Sequence, residues 1–75
     1  MKQLLIDIVS SLVEHPDEIR VTEKVSSDVV ILELAVAEDD VGKVIGRQGR
    51  IAKSIRTIMR AAASLENKRV IVDIG

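Results

Sequence analysis

Val41-Gly42-Lys43-Val44-Ile45-Gly46-Arg47-Gln48-Gly49-Arg50 is the stretch on which the reading of this chain turns. Two glycines three apart, Gly46 and Gly49, enclose two polar residues, Arg47 and Gln48. An apolar turn (Val41, Val44, Ile45) precedes them and a basic helix follows. Glycine has no Cβ, so it takes positive φ and lets a ligand approach the main chain. The free N–H groups of such a loop, and of the helix start behind it, carry partial positive charge and suit a phosphate. Arg47 and Arg50 would add charge-assisted bonds. A plain helix–turn–helix link is the bland reading of a Gly-x-x-Gly. The position between two helices, the polar tip and the flanking Lys43 and Arg50 argue against it.

Outward from this loop the charge is lopsided. The net charge is -1. Residues 1–40 nevertheless hold three basic and ten acidic residues, a balance of -7, whereas residues 41–75 hold eight basic and two acidic, a balance of +6. No acidic residue occurs from Val41 to Leu65. A polyanion is drawn to one part of such a domain and repelled by the other.

The rest of the pattern places the loop. Leu4, Leu5, Ile8, Val9 and Leu12 recur at helical spacing and predict a first helix over residues 2–14, ended by His15-Pro16. Residues 19–25 mostly alternate apolar and polar, and residues 29–36 are rich in Val, Ile and Leu. With Ser26-Ser27-Asp28 between them they predict an antiparallel hairpin. Glu38, Asp39 and Asp40 give a short helix an acidic start, with Asp39 as its expected N-cap. That helix stops at Gly46, suited to a left-handed cap. A long helix runs from about Gly49 to Leu65, and residues 70–74 form the last strand. The order is α-β-β-α-α-β: an α+β domain over residues 1–75. The helical crossover should make the second and third strands parallel and be right-handed. The expectation is a mixed three-stranded sheet, ordered first-second-third, with the helices on one face.

On a helical wheel Ile51, Ile55, Ile58, Ala62 and Leu65 share one face of the long helix and Lys53, Arg56 and Arg60 lie opposite. The apolar face reads mainly as core. Ile58 and Met59, with Ala62 and Ala63, also make a surface broad enough to leave part for a partner helix. Ile58, Met59 and Ala62 are therefore the expected dimer contacts. A core built without Cys, Trp, Tyr or Phe must come from Ile, Val, Leu and Ala, and 47% of the residues are hydrophobic. So modest a core makes partner-assisted stability plausible.

With the element order in place, Val44-Ile45-Gly46-Arg47-Gln48-Gly49-Arg50 followed by Ile55-Arg56 resembles the V-I-G-x-x-G motif of KH domains. The α-β-β-α-α-β order resembles their type II, prokaryotic arrangement. Across the whole length the chain is similar to small bacterial single-KH proteins. Glu14-His15-Pro16, Asp40 to Gly46 and Arg56-Thr57-Ile58 share in that similarity. The resemblance implies single-stranded RNA binding, with the loop clamping the backbone of about four nucleotides. Carried over by position, Gly46, Arg47, Gln48 and Gly49 form the loop. Lys43, Val44, Ile45 and Arg50 flank the groove, and Lys53 continues the basic face. It further implies a cytoplasmic homodimer that pairs with a larger multidomain KH protein of the KhpB (Jag) kind. The implied work is post-transcriptional regulation or RNA chaperoning, linked to cell division and cell-wall elongation. Where many KH domains place a large aliphatic two residues after Arg50, this chain has Ala52, so no base preference is carried over.

Other classes fit poorly. The only histidine, His15, sits at a helix end, where capping or a turn accounts for it. A His- or Cys-based metal site needs more such residues than exist. Asp39 and Asp40 read as helix-start acids rather than a catalytic pair. GxxxxGK[ST] and GxGxxG are absent. No cofactor, metal or catalytic residue is expected, and no segment is long enough to span a membrane. The serious rival is a KH-like module whose partner is a protein. Duplex DNA is a weaker third reading, since a basic stripe alone does not tell DNA from RNA.

Overall fold

Where apolar and polar residues alternate, strands form: β1 (Arg20–Ser26), β2 (Val29–Ala35) and, after the long helix, β3 (Arg69–Ile74). These come from a computed structural model that describes residues 1–74. β1 and β2 pair antiparallel, with Val21 opposite Leu34 and Val25 opposite Val30. β2 and β3 pair parallel, with Val30 beside Val70 and Leu32 beside Val72. The sheet order is β1-β2-β3. This is the mixed α+β sheet that the alternation and the helical crossover predict.

The helices are α1 (Lys2–Ser10), α2 (Val41–Ile45) and α3 (Arg50–Leu65), with 3₁₀ turns at Pro16–Glu18, Glu38–Asp40 and Arg47–Gly49. They cover one face of the sheet. Val21, Val30, Leu32, Leu34, Val70 and Val72 point into that layer and are buried. Leu5 and Val9 of α1, Val44 of α2, and Ile55, Met59 and Ala63 of α3 meet them there. Full burial of a side chain such as Leu5, Leu32 or Met59 contributes about 1.5–3 kcal/mol. None of these helices is long and apolar enough to cross a membrane.

Two features differ from the sequence expectation. First, α1 ends at Ser10 rather than at residue 14. The apolar spacing does continue through Leu12 and Val13. The backbone N–H groups of Glu14 and His15, however, donate to the Asp40 carboxylate at 3.1 and 3.0 Å instead of continuing the helical ladder. His15 precedes the Pro16–Glu18 turn, and its carbonyl accepts the Glu18 N–H. Second, the buried face of α3 is rotated from the one read off the wheel. It consists of Ala52, Ile55, Met59 and Ala63. Ile51 is half-buried against the core, whereas Ile58 is 48% exposed and Leu65 is 88% exposed. The wheel was set by the isoleucines, but this layer accepts Met and Ala at its centre.

Candidate nucleic-acid interface

Asp40 anchors the approach to the loop. It was expected to be a second acidic helix-start residue, with Asp39 as N-cap. In the structure Asp40 occupies the position before α2 and neither carboxylate caps that helix. Asp39 is exposed, and Asp40 is wholly buried, its oxygens taken by the Glu14 and His15 N–H groups. Burial alone would push this carboxyl up. The two backbone donors, with nearby positive charge including Lys43, outweigh that and hold it below the ordinary carboxylate range. A depressed folded value means that the unfolded chain binds the proton more readily. The contribution is therefore complete above about pH 4 and is lost as pH falls through the folded value. Asp40→Asn should lower Tm at neutral pH by on the order of 10 °C and should flatten the acid limb. Melting curves across pH check this: the two proteins should converge in acid and diverge at neutrality.

Lys43, expected to flank the groove, is already engaged. Its Nζ lies 3.0 Å from Glu14 Oε1 and 3.5 Å from Asp40 Oδ1. The hydrogen bond to Glu14 lifts its pKa above the ordinary lysine value. It is a strut between the segment that follows α1 and the start of α2. Val44 is fully buried and cannot line a groove. Its part is to fix α2 to the core so that the loop has a firm base. Ile45 is half-buried and keeps a free edge.

The two loop glycines differ. Gly46 has φ 76° and ψ 173°, a region open essentially to glycine alone. The left-handed helical cap expected there is thus replaced by an extended one. A Cβ on Gly46 would lie 2.6 Å from Ile51 Cγ1 and 2.8 Å from Ile51 Cβ. Gly46 is therefore required by packing. Gly49 is left-handed, with φ 73° and ψ 14°, yet a Cβ there would meet nothing within 4 Å. The space over Gly49 is open to a ligand. Gln48 between them is also left-handed, at φ 58°. This turns the Arg47 and Gln48 side chains to solvent at the tip.

Arg47, Arg50 and Lys53 are exposed, and among the described residues none is in an ion pair. They run from the loop onto α3. Six and ten residues past Arg50, about 9 and 15 Å along the helix, Arg56 and Arg60 line a shallow cavity of about 170 Å³ with Val70, Ile71 and Val72 of β3. Arg56 Nε donates to the Val72 carbonyl at 3.2 Å. This groove wall was missed in the sequence, where β3 was read only as a strand and Arg56 and Arg60 only as the side of α3 opposite its apolar face. Its signal was the parallel pairing with β2, which leaves β3 at the sheet edge beside α3. The aliphatics of β2 give no floor for bases beside the loop. Val30, Leu32 and Leu34 are core, and Val29 and Ile31 face the far side of the sheet. Among the described residues no three His, Asp or Glu side chains gather to hold a metal ion.

The family described as "KhpA/KhpB, KH domain" matches residues 2–74. The chain belongs to the KhpA/KhpB KH-domain family. Relatives in this family cover the chain nearly end to end. "RNA-binding protein KhpA" of Clostridium acetobutylicum is 61% identical over 74 residues, 99% of both chains. The KhpA proteins of Clostridium perfringens and Caldanaerobacter subterraneus are 53% and 51% identical over the same length. No solved structure gives a significant match. In this KhpA/KhpB domain the glycine loop joins α2 to α3 at the basic end of the molecule.

Of the expected dimer contacts, Ile58 is exposed and Ala62 is half-buried. Met59 is not a surface residue at all: it is fully buried under α3.

Proposed function

We propose that this chain is a non-enzymatic, single-domain KH protein that binds single-stranded RNA through the Gly46–Gly49 loop. The observation that carries this is the open space over Gly49, with Arg47, Arg50 and Lys53 exposed on the loop and the first turn of α3 and, among the described residues, in no ion pair. A sugar-phosphate backbone can lie against that main chain, with these three cations to meet its charge. The relatives' name as RNA-binding proteins supports the same reading. The groove between α3 and β3 then receives the bases, with Arg56 and Arg60 on one wall and Val70, Ile71 and Val72 on the other. Lys43 and Val44 position the loop. Arg47, Gln48, Arg50 and Lys53 meet the ligand. Such a short site favours weak contacts with many transcripts, as in post-transcriptional regulation or RNA chaperoning in the cytoplasm. The link to cell division and cell-wall elongation belongs to the same proposal.

A salt titration tests it. With three phosphates engaged, log K against log salt should fall with a slope of about -2 on the single-strand scale, and Kd should be on the order of micromolar. A flat response contradicts the reading.

Ile58 supports a second, compatible role. At 48% exposure, with Leu65 two turns on and Ala62 between, it presents an apolar strip on α3 away from the basic face. We assign this strip to a helix-mediated homodimer, with a larger KhpB-type protein as the alternative partner. Ile58→Asp should fold, since an exposed substitution shifts stability by only about 0.5 kcal/mol. Sedimentation should show it as a monomer at concentrations where the parent chain self-associates. A parent chain that stays monomeric at high concentration ends the dimer reading.

A further inference from the structure

The face of the sheet turned away from the helices carries a pattern that nothing in the chain answers. On that face β3 presents Arg69, Ile71 and Asp73 at every second residue: a cation, an apolar side chain and an anion in line. Arg69 and Asp73 are exposed, and Ile71 is 53% exposed. Ile31 of β2 lies beside Ile71 and Val29 beside Arg69, so the middle of the face is apolar. Glu33 lies directly beside Asp73, and like charges so placed work against the sheet. Lys24 Nζ, 3.1 Å from Glu33 Oε1, answers only one of the two carboxylates. Among the described residues Arg69 and Asp73 are in no ion pair. Nor can they reach each other, since four strand residues separate them by about 13 Å.

The pattern is complementary to itself when reversed. A second copy can lie face to face with the first, strands antiparallel, about a two-fold axis that crosses the strands at Ile71. Ile71 then meets Ile71, and Ile31 meets Ile31. Arg69 of each copy comes over Asp73 of the other, beside Glu33. Stacked sheets lie about 10 Å apart, a gap that an arginine and a carboxylate side chain span together. The two ion pairs are equivalent, as a two-fold requires. Lys24, at the β1 margin, keeps its own Glu33 and brings no unanswered charge. A nucleic acid on this face would instead be repelled by Glu33 and Asp73.

We propose that the open sheet face is a self-docking surface, on which a second copy of this chain pairs through Ile31 and Ile71 with reciprocal Arg69–Asp73 contacts. The surface is separate from the glycine loop and from the Ile58 strip on α3. Three strands about 4.8 Å apart make a face short of the roughly 800 Å² per partner of a stable complex. The pairing is therefore weak between free copies and joins copies already held together elsewhere. With the α3 strip also occupied, it yields assemblies larger than a pair. Ile71 also borders the cavity between α3 and β3, whereas Arg69 and Asp73 line no part of it. The test is therefore built on those two charges.

Arg69→Asp and Asp73→Arg should each fold, since both side chains are exposed. Each should pair through this face at least about tenfold more weakly than the parent chain. Mixing the two variants one to one should restore the pairing, because each then offers the charge that the other lacks. Arg69→Asp/Asp73→Arg in one chain should pair as well. The readout is amide NMR at about millimolar protein, where dilution should shift the Ile31 and Ile71 signals, with sedimentation for the size. At this higher concentration the Ile58→Asp background, which removes the α3 strip, should keep the pairing, and salt should weaken it. Sheet amides that stay fixed on dilution overturn the proposal. So do single reversals that pair as well as the parent, or a mixture that pairs no better than its components. Shifts on this face that arise only when a short single-stranded RNA is added assign it to RNA and overturn the proposal too.

Discussion

Gly46→Ala should lower the melting temperature by about 15 °C or more, and should leave much of the protein unfolded at physiological temperature. Two costs combine. At φ 76° and ψ 173° a side chain costs about 1–3 kcal/mol. The new methyl would also be driven into Ile51 at 2.6–2.9 Å, and overpacking of this kind costs about 1–3 kcal/mol. In a small domain each kcal/mol moves Tm by about 4–8 °C. Trimming the neighbour to Ile51→Ala should not restore stability, because the Ile51 Cβ itself is 2.8 Å away. Gly49→Ala is the control. It meets only the left-handed penalty of about 1–2 kcal/mol, and its Tm should fall by less than half as much. Far-UV circular dichroism is the readout, since the chain has no aromatic fluorophore. Equal shifts for the two alanines would remove the distinction between a packed and an open glycine.

The second large effect is on binding. Arg47→Asp/Gln48→Asp should fold like wild type and lose at least about tenfold in RNA affinity. Both side chains are exposed. Gln48 already has a left-handed backbone at φ 58°, which aspartate tolerates better than most residues. The fold is thus spared. The loop tip changes by three charge units, losing a charge-assisted hydrogen bond of about 1.5–3 kcal/mol and gaining repulsion toward phosphate. The salt slope should shrink with the affinity. A double variant that melts like wild type and binds RNA equally well would move the site away from the loop.

These two results separate what the sequence could say from what it could not. The hairpin, the parallel third strand and the glycine loop were legible because each has a local pattern: alternation, a helical crossover, or a glycine pair between helices. The early end of α1 was not. It depends on Asp40 receiving N–H groups from residues 25 and 26 positions away, and nothing local marks Asp40 over Asp39. The core face of α3 was misjudged by one position because Ile58 and Met59 are both apolar. Only the packing under the helix decides between them. Lys43 was placed at the groove flank by its position beside the loop, and its partner Glu14 lies 29 residues away in sequence. The different duties of Gly46 and Gly49 became visible once Ile51 was placed. Elements with a local pattern were legible, whereas contacts set by neighbours in space were not.

Arg56 has a bearing on assembly as well as on the groove. β1 and β3 are the two free borders of the sheet. A chain that offered both could add copies end to end, β3 of one against β1 of the next, and grow without closing. Arg56 sits across the β3 border and occupies the Val72 carbonyl, so an incoming strand must first displace a cation. The β3 border is thus guarded by the same side chain that walls the groove. Charge reversal at Arg56 would remove that guard and favour strand-to-strand growth and precipitation.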